Sequence, residues 1–135
     1  MIVGENNVLE AAKFMTWKDD QGIVKTKVKP FSEVGLQDAI ENSELVNSFE
    51  PESHQAGYPL LVDLRQLKSI SKEARKHFSM KGRESKVIAI AMLVESNLSR
   101  RAANFYLSLN KPKVPVKLFN EEVKAEEWCL DFLSE

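Results

Sequence analysis

Tyr58–Phe78 reads YPLLVDLRQLKSISKEARKHF. Leu60, Leu61, Val62 and Leu64 form a short, almost wholly apolar run with one carboxylate, Asp63, near its end. A strand covered on both faces has this composition, because neither side needs a polar stripe, and such strands sit in the middle of α/β sheets. A polar connection follows. Then comes Ser71, whose hydroxyl can accept a hydrogen bond from a free amide at the start of a helix. The helix itself runs through Ala74, His77 and Phe78.

Upstream, Glu50–Tyr58 (EPESHQAGY) has a proline, a glycine and several polar groups without periodicity, which predicts a surface loop. Ser32 is placed to cap a helix running to about Phe49. Leu36, Ala39, Ile40, Ser43 and Val46 trace its apolar face, with Leu45 and Phe49 flanking. Earlier still, Val8–Val28 fits a hairpin: Phe14, Met15 and Trp17, a turn at Asp19–Gly22, then Ile23, Val24, Thr26 and Val28. In the second arm Val24, Thr26 and Val28 alternate with Lys25, Lys27 and Lys29. That alternation predicts valines on the core and lysines in water, where they also guard a sheet edge. Pro30 closes the arm.

Downstream, Lys81–Lys86 (KGRESK) is a connection. Val87–Val94 (VIAIAMLV) is the most hydrophobic run and is predicted to be the innermost strand of the sheet. Ser96, Asn97 or Ser99 caps the next helix, in which Leu98, Ala102, Phe105, Tyr106 and Leu109 recur at helical spacing until Pro112 stops it. Val114–Phe119 is a last short strand. Asn120 then caps a final helix with Glu121 and Glu122 at the positive end of its dipole and Ala125, Trp128, Cys129, Phe132 and Leu133 on its apolar face. The expected order is β-β-α-β-α-β-α-β-α: one α/β domain over residues 1–135, a mostly parallel sheet with an N-terminal antiparallel hairpin, and helices packed on it. Leu60–Leu64 and Val87–Val94 are expected to be neighbours in that sheet.

Composition narrows the function classes. A chain of 135 residues builds one ordinary core. Its 19 lysines and arginines nearly cancel 20 aspartates and glutamates, which supports neither nucleic-acid binding nor a polybasic membrane signal. One cysteine, Cys129, excludes an internal disulfide and a multi-cysteine metal site and suits a reducing compartment. No apolar run approaches the roughly 20 residues that span a bilayer, and MIVGENNVLE lacks the features of a secretory signal. A cytoplasmic location is expected, with no membrane insertion.

The order of elements resembles the STAS, or SpoIIAA-like, fold of bacterial anti-sigma-factor antagonists, over nearly the whole chain. GIVKTKVKP, PLLVDLR, ISKEARKHF, RRAANFYLSLNKPKVPVKLF and KAEEW further resemble a small family of uncharacterised bacterial proteins with that fold. In STAS antagonists the strand ending in Asp-Leu leads to an Asp-Ser or Asp-Thr pair at the next helix, whose hydroxyl a partner kinase phosphorylates. Counting from Asp63-Leu64, Ser71 stands where that aspartate would be and Lys72 where the phosphoacceptor would be. The resemblance therefore implies the fold without an intact phosphoswitch.

Ser71 has the composition of a phosphoacceptor or ligand contact at a helix N-terminus, but an ordinary N-cap is the commoner use. Asp63 is placed for a general base, yet carboxylates there usually pair with a nearby base such as Arg65 or Arg75. His77 fits a partly buried, hydrogen-bonded histidine. With His54 in a loop and no HxxxH, HxH or CxxC spacing, no metal or cofactor is expected. Cys129, among apolar neighbours, reads as a core thiol. Ligands of open parallel sheets bind beyond the carboxyl ends of the strands. Those ends carry Arg65, Ser69, Ser71, Glu95, Ser96, Asn97, Ser99, Arg100 and Asn120, although loops and caps use such residues in any case. The expected function is a non-enzymatic regulatory or protein-interaction module with a protein partner. The alternative is a small-ligand domain for an anion or lipid-like molecule bound at that rim. Self-association is expected through the hairpin face bearing Met15 and Trp17.

Overall fold

The computed structural model describes residues 2–3, 7–80, 86–95, 97, 100–101, 104 and 114–133. In chain order its elements are β1 (Ile2–Val3), β2 (Leu9–Glu10), β3 (Phe14–Lys18), β4 (Val24–Val28), β5 (Ser32–Val34), α1 (Leu36–Asn47), β6 (Tyr58–Asp63), β7 (Leu67–Ile70), α2 (Lys72–Met80), β8 (Val87–Leu93), β9 (Val116–Phe119) and α3 (Glu122–Leu130). Asn97, Arg100, Arg101 and Asn104 are also helical. Ser96, Ser99 and the apolar positions Leu98, Ala102, Phe105, Tyr106 and Leu109 of that expected helix lie outside the described residues, as does most of the Lys81–Lys86 connection.

A seven-stranded sheet has the order β1-β2-β3-β4-β6-β8-β9. β1 to β4 are successive antiparallel neighbours, and β4, β6, β8 and β9 run parallel. The expected α/β architecture is thus present, with Leu60 opposite Ile90 and Asp63 opposite Leu93. One placement differs: Val87–Leu93 lies second from an edge, and β4 is the central strand. The hydrophobicity of β8 reflects cover on both faces, which a penultimate strand also receives.

Alternation sorts the layers. Phe14, Val28, Val34, Ala39, Leu67 and Ala74 pack together beneath α1 and α2, and Val24, Val46, Tyr58, Leu60 and Val87 continue that layer. On the opposite face Ile23, Leu61, Ala91 and Leu93 meet Ala125 and Cys129 of α3, with Phe119, Trp128, Leu130 and Leu133 at the margin. Burying a leucine- or phenylalanine-sized side chain stabilises by roughly 1.5–3 kcal/mol, so these layers are the main source of stability. Gly57 permits the chain to enter β6, because a Cβ there would lie 2.0 Å from the Lys86 carbonyl oxygen.

Four local expectations are corrected. Ser32 does not cap α1; it pairs with Leu67 in a separate two-stranded parallel sheet of β5 and β7. Gly35 is the N-cap instead, with its amide donating to Asp38 Oδ2 at 2.9 Å. The buried face of α1 is Ala39, Asn42, Leu45 and Val46, while Leu36 is exposed. Asn42 belongs there because its Nδ2 donates to Thr26 Oγ1 at 2.7 Å, and Thr26 Oγ1 lies 2.9 Å from Thr16 Oγ1. Lys25 is not in water: it is 9% exposed, held by carboxylates described below. Asn120 is exposed and Glu121 is the N-cap of α3, without a side-chain cap bond.

Candidate functional site

The carboxyl ends of β4, β6, β8 and β9 share one edge because the strands are parallel, and the charged groups gather there and along the α3 face. Asp63, buried at the end of β6, is gripped by the residue two places on. Arg65 Nε donates to Asp63 Oδ1 at 3.0 Å and Nη2 to Oδ2 at 2.9 Å, while the Arg65 amide adds a bond to Oδ1 at 3.0 Å. This two-pronged geometry is the strong form of an arginine–carboxylate contact. Arg65 Nη2 also donates to Glu122 Oε1 at 3.3 Å, tying the end of β6 to the first turn of α3.

A second cation continues the chain of charges. Lys25 Nζ pairs with Glu126, with Asp19 Oδ2 at 3.4 Å and with Glu122 Oε2 at 3.9 Å. Asp19 is held in turn by the amides of Gln21 and Ile23 at 2.9 and 3.0 Å, which folds the hairpin turn around its carboxylate. Burial pulls the Lys25 ammonium down, but its hydrogen bond to Glu126 and the charges of Glu126 and Asp19 outweigh that and raise it. The hydrogen bond to Asp63 likewise raises the Arg65 guanidinium, against a smaller effect of burial. Both cations stay charged. The assembly is a fixed ionic clamp between sheet and α3, and Asp63 has three donors on its two oxygens.

The other candidates have specific places. Ser71 Oγ accepts the Ala74 amide at 3.1 Å, capping α2. Ser69 is half-buried in β7, Glu95 and Asn120 are exposed, and Asn97 and Arg100 are exposed on helical backbone. Arg65 is joined to Asp63 and Glu122, and Ser71 to α2. His77 Nε2 lies 3.1 Å from Ser43 Oγ, linking α2 to α1. Cys129 is fully buried, which pushes its thiol up to about 12. Among the described residues no group of three or more His, Cys, Asp or Glu is arranged to hold a metal ion, and no helix is long and apolar enough to cross a membrane.

Sequence reasoning missed Lys25, Glu122 and Glu126 as one unit. Lys25 and Glu126 are 101 positions apart, so no local pattern connects them. A signal was available at Asp19: a carboxylate opening a turn beside amides two and four residues on.

Residues 16–133 match a family described as a domain of unknown function, DUF7793. No curated protein matches the chain. Among solved structures it is similar to an uncharacterised protein of the DUF3478 family with a SpoIIAA-like fold from Shewanella loihica PV-4. The identity is 14%, with 90% of each chain covered and a TM-score of 0.58. That likeness shows the SpoIIAA-like fold. A protein with unknown function from Arthrobacter sp. FB24 is 23% identical over 84% of this chain and 90% of its own, but its TM-score of 0.31 is too low to argue from.

Proposed function

As the chain belongs to the DUF7793 family of domains of unknown function, we propose a role drawn from its fold and its edge chemistry: a cytoplasmic, non-enzymatic regulatory module that binds another protein through the carboxyl edge of its parallel strands. The observation that carries this is the Asp63–Arg65 fork. Its carboxylate accepts three hydrogen bonds from Arg65, which supports a fixed polar contact at this edge over a free carboxylate poised to take a proton. Ser71 is engaged as a cap and exposed Lys72 stands at the phosphoacceptor position, which supports a mode of regulation other than the STAS-type switch.

The test pairs affinity capture from native lysate with a thermal-shift screen of metabolites and nucleotides. A specific protein captured by the wild-type chain, and lost with Glu122→Lys, is expected. Reproducible stabilisation by one ligand class, without a captured protein, would instead establish the small-ligand alternative.

A further inference from the structure

α3 covers only part of its side of the sheet. It packs on β6, β8 and β9 and touches the margin of β4 at Ile23 and Lys25. Among the described residues no helix lies over β2 and β3 on this side, where Met15 and Trp17 are half-buried and belong to none of the core layers. Register puts Glu10, Met15, Lys27 and Asp63 in one row across this face and Trp17 and Lys25 in the next. Lys29 holds Glu10 at 3.0 Å, whereas Lys27 has no ion pair among the described residues. The bare strip is therefore apolar with an excess of positive charge. Three strands at a spacing of roughly 4.8 Å make it roughly 14 Å wide, and a helix with its side chains is roughly 10–12 Å across. It has room for one helix.

α3 has the complementary chemistry. Glu121–Asp131 holds five carboxylates and one lysine, and the solvent side of the helix presents Val123, 65% exposed, with exposed Glu127 one turn on. The helix runs back along β4, from Glu122 beside Arg65 at the carboxyl edge towards Leu133 beside Gly22. Lys25 pairs with both Glu126 and Glu122, which fixes the levels: Glu126 stands beside the Trp17–Lys25 row, and Val123 beside the Met15–Lys27 row. A twofold axis parallel to the strands keeps every residue at its own level and carries α3 onto the bare strip of the other copy. Val123 then meets Met15, and Glu127 comes within reach of Lys27. Lys124, paired with Glu121 at 3.4 Å, is turned about 100° from Val123 and falls over β2, beside Glu10. Glu122 and Glu126 face their mates across the axis, already neutralised by Arg65 and Lys25. We infer that two copies of this chain associate face to face, each laying the solvent side of α3 on the β2–β4 strip of the other. An acidic helix of another protein would meet the same lysines, but only a second copy arrives with its level set by symmetry.

This contact goes beyond the proposed role, and its failure would leave that role standing, because the test needs no other partner. Sedimentation equilibrium of the full chain from ~10 µM to ~1 mM at low salt should show a dimer that weakens as salt rises. Val123→Glu should lower the association constant at least about tenfold, while the thermal midpoint of dilute protein stays level because the side chain is exposed within one chain. Lys27→Glu and Glu127→Lys should each weaken the dimer, and the double variant should recover it. A wild-type chain monomeric throughout, Val123→Glu dimerising as wild type, or a double variant no tighter than its singles would each overturn the inference. Should Lys27→Glu fail to fold, Val123→Glu decides alone.

Discussion

Ser71 illustrates how one hydroxyl is committed by its surroundings. Its Oγ accepts the Ala74 amide at 3.1 Å, and its own amide donates to the Val34 carbonyl at 2.9 Å, so it joins β5 to the start of α2. Ser71→Ala should cost about 0.5–2 kcal/mol in denaturant melts, the usual loss for a removed cap. Ser71→Asp should retain most of the stability, since aspartate caps as well and its charge suits the positive end of the helix. Neither variant should switch partner binding on or off. Peptide mapping of protein from its own host checks the point: stoichiometric phosphate on Ser71 would restore the antagonist type of control.

Between elements, the decisive contact is the buried chain Asn42–Thr26–Thr16, which fixes α1 over β3 and β4. Thr26→Val keeps the shape but leaves the Asn42 amide and the Thr16 hydroxyl without that partner in a dry layer. The expected loss is about 1–3 kcal/mol, read as a lower urea midpoint with unchanged m-value. The same contact explains why apolar periodicity does not find the face of α1: periodicity counts apolar side chains, whereas the middle of this buried stripe is an asparagine. β5 and β7 were hidden for a related reason. SEV and LKSI are half polar, and they become strands because Val34 and Leu67 enter the core while their backbones pair. Strand polarity, by contrast, follows from the alternation of β and α alone, so the edge carrying Arg65, Ser71 and Asn120 was legible. The ionic clamp was not, because charges within a strand read as solvent-facing until a distant helix supplies their partners.

At the scale of the molecule, both layers hold protons more tightly when folded than when unfolded. Tyr58, buried under α1 with its hydroxyl on the Val46 carbonyl at 2.6 Å, is raised by burial and then by the charge of Glu50, from 10.0 to about 12. Cys129, under α3, is raised chiefly by burial, from 9.0 to about 12. Lys25, whose carboxylate partners outweigh its burial, is also raised above its ordinary 10.5. A raised folded value means that the unfolded chain releases its proton first. The unfolded state therefore binds fewer protons in alkali, and stability falls as pH rises. What these groups contribute is intact below their ordinary values, then fades for the thiol between pH 9 and about 12, for the phenol between pH 10 and about 12, and for the ammonium above 10.5. Urea midpoints should decline from pH 9 and more steeply beyond 10. Cys129→Ala should flatten the first part of the decline, after allowance for its lower starting stability. At pH 8 the native thiol should react with a disulfide reagent only as fast as the protein opens, because a buried thiol raised this far supplies almost no thiolate. A midpoint constant to pH 11, or rapid labelling of the folded chain, would mean that these layers are far wetter than their packing implies.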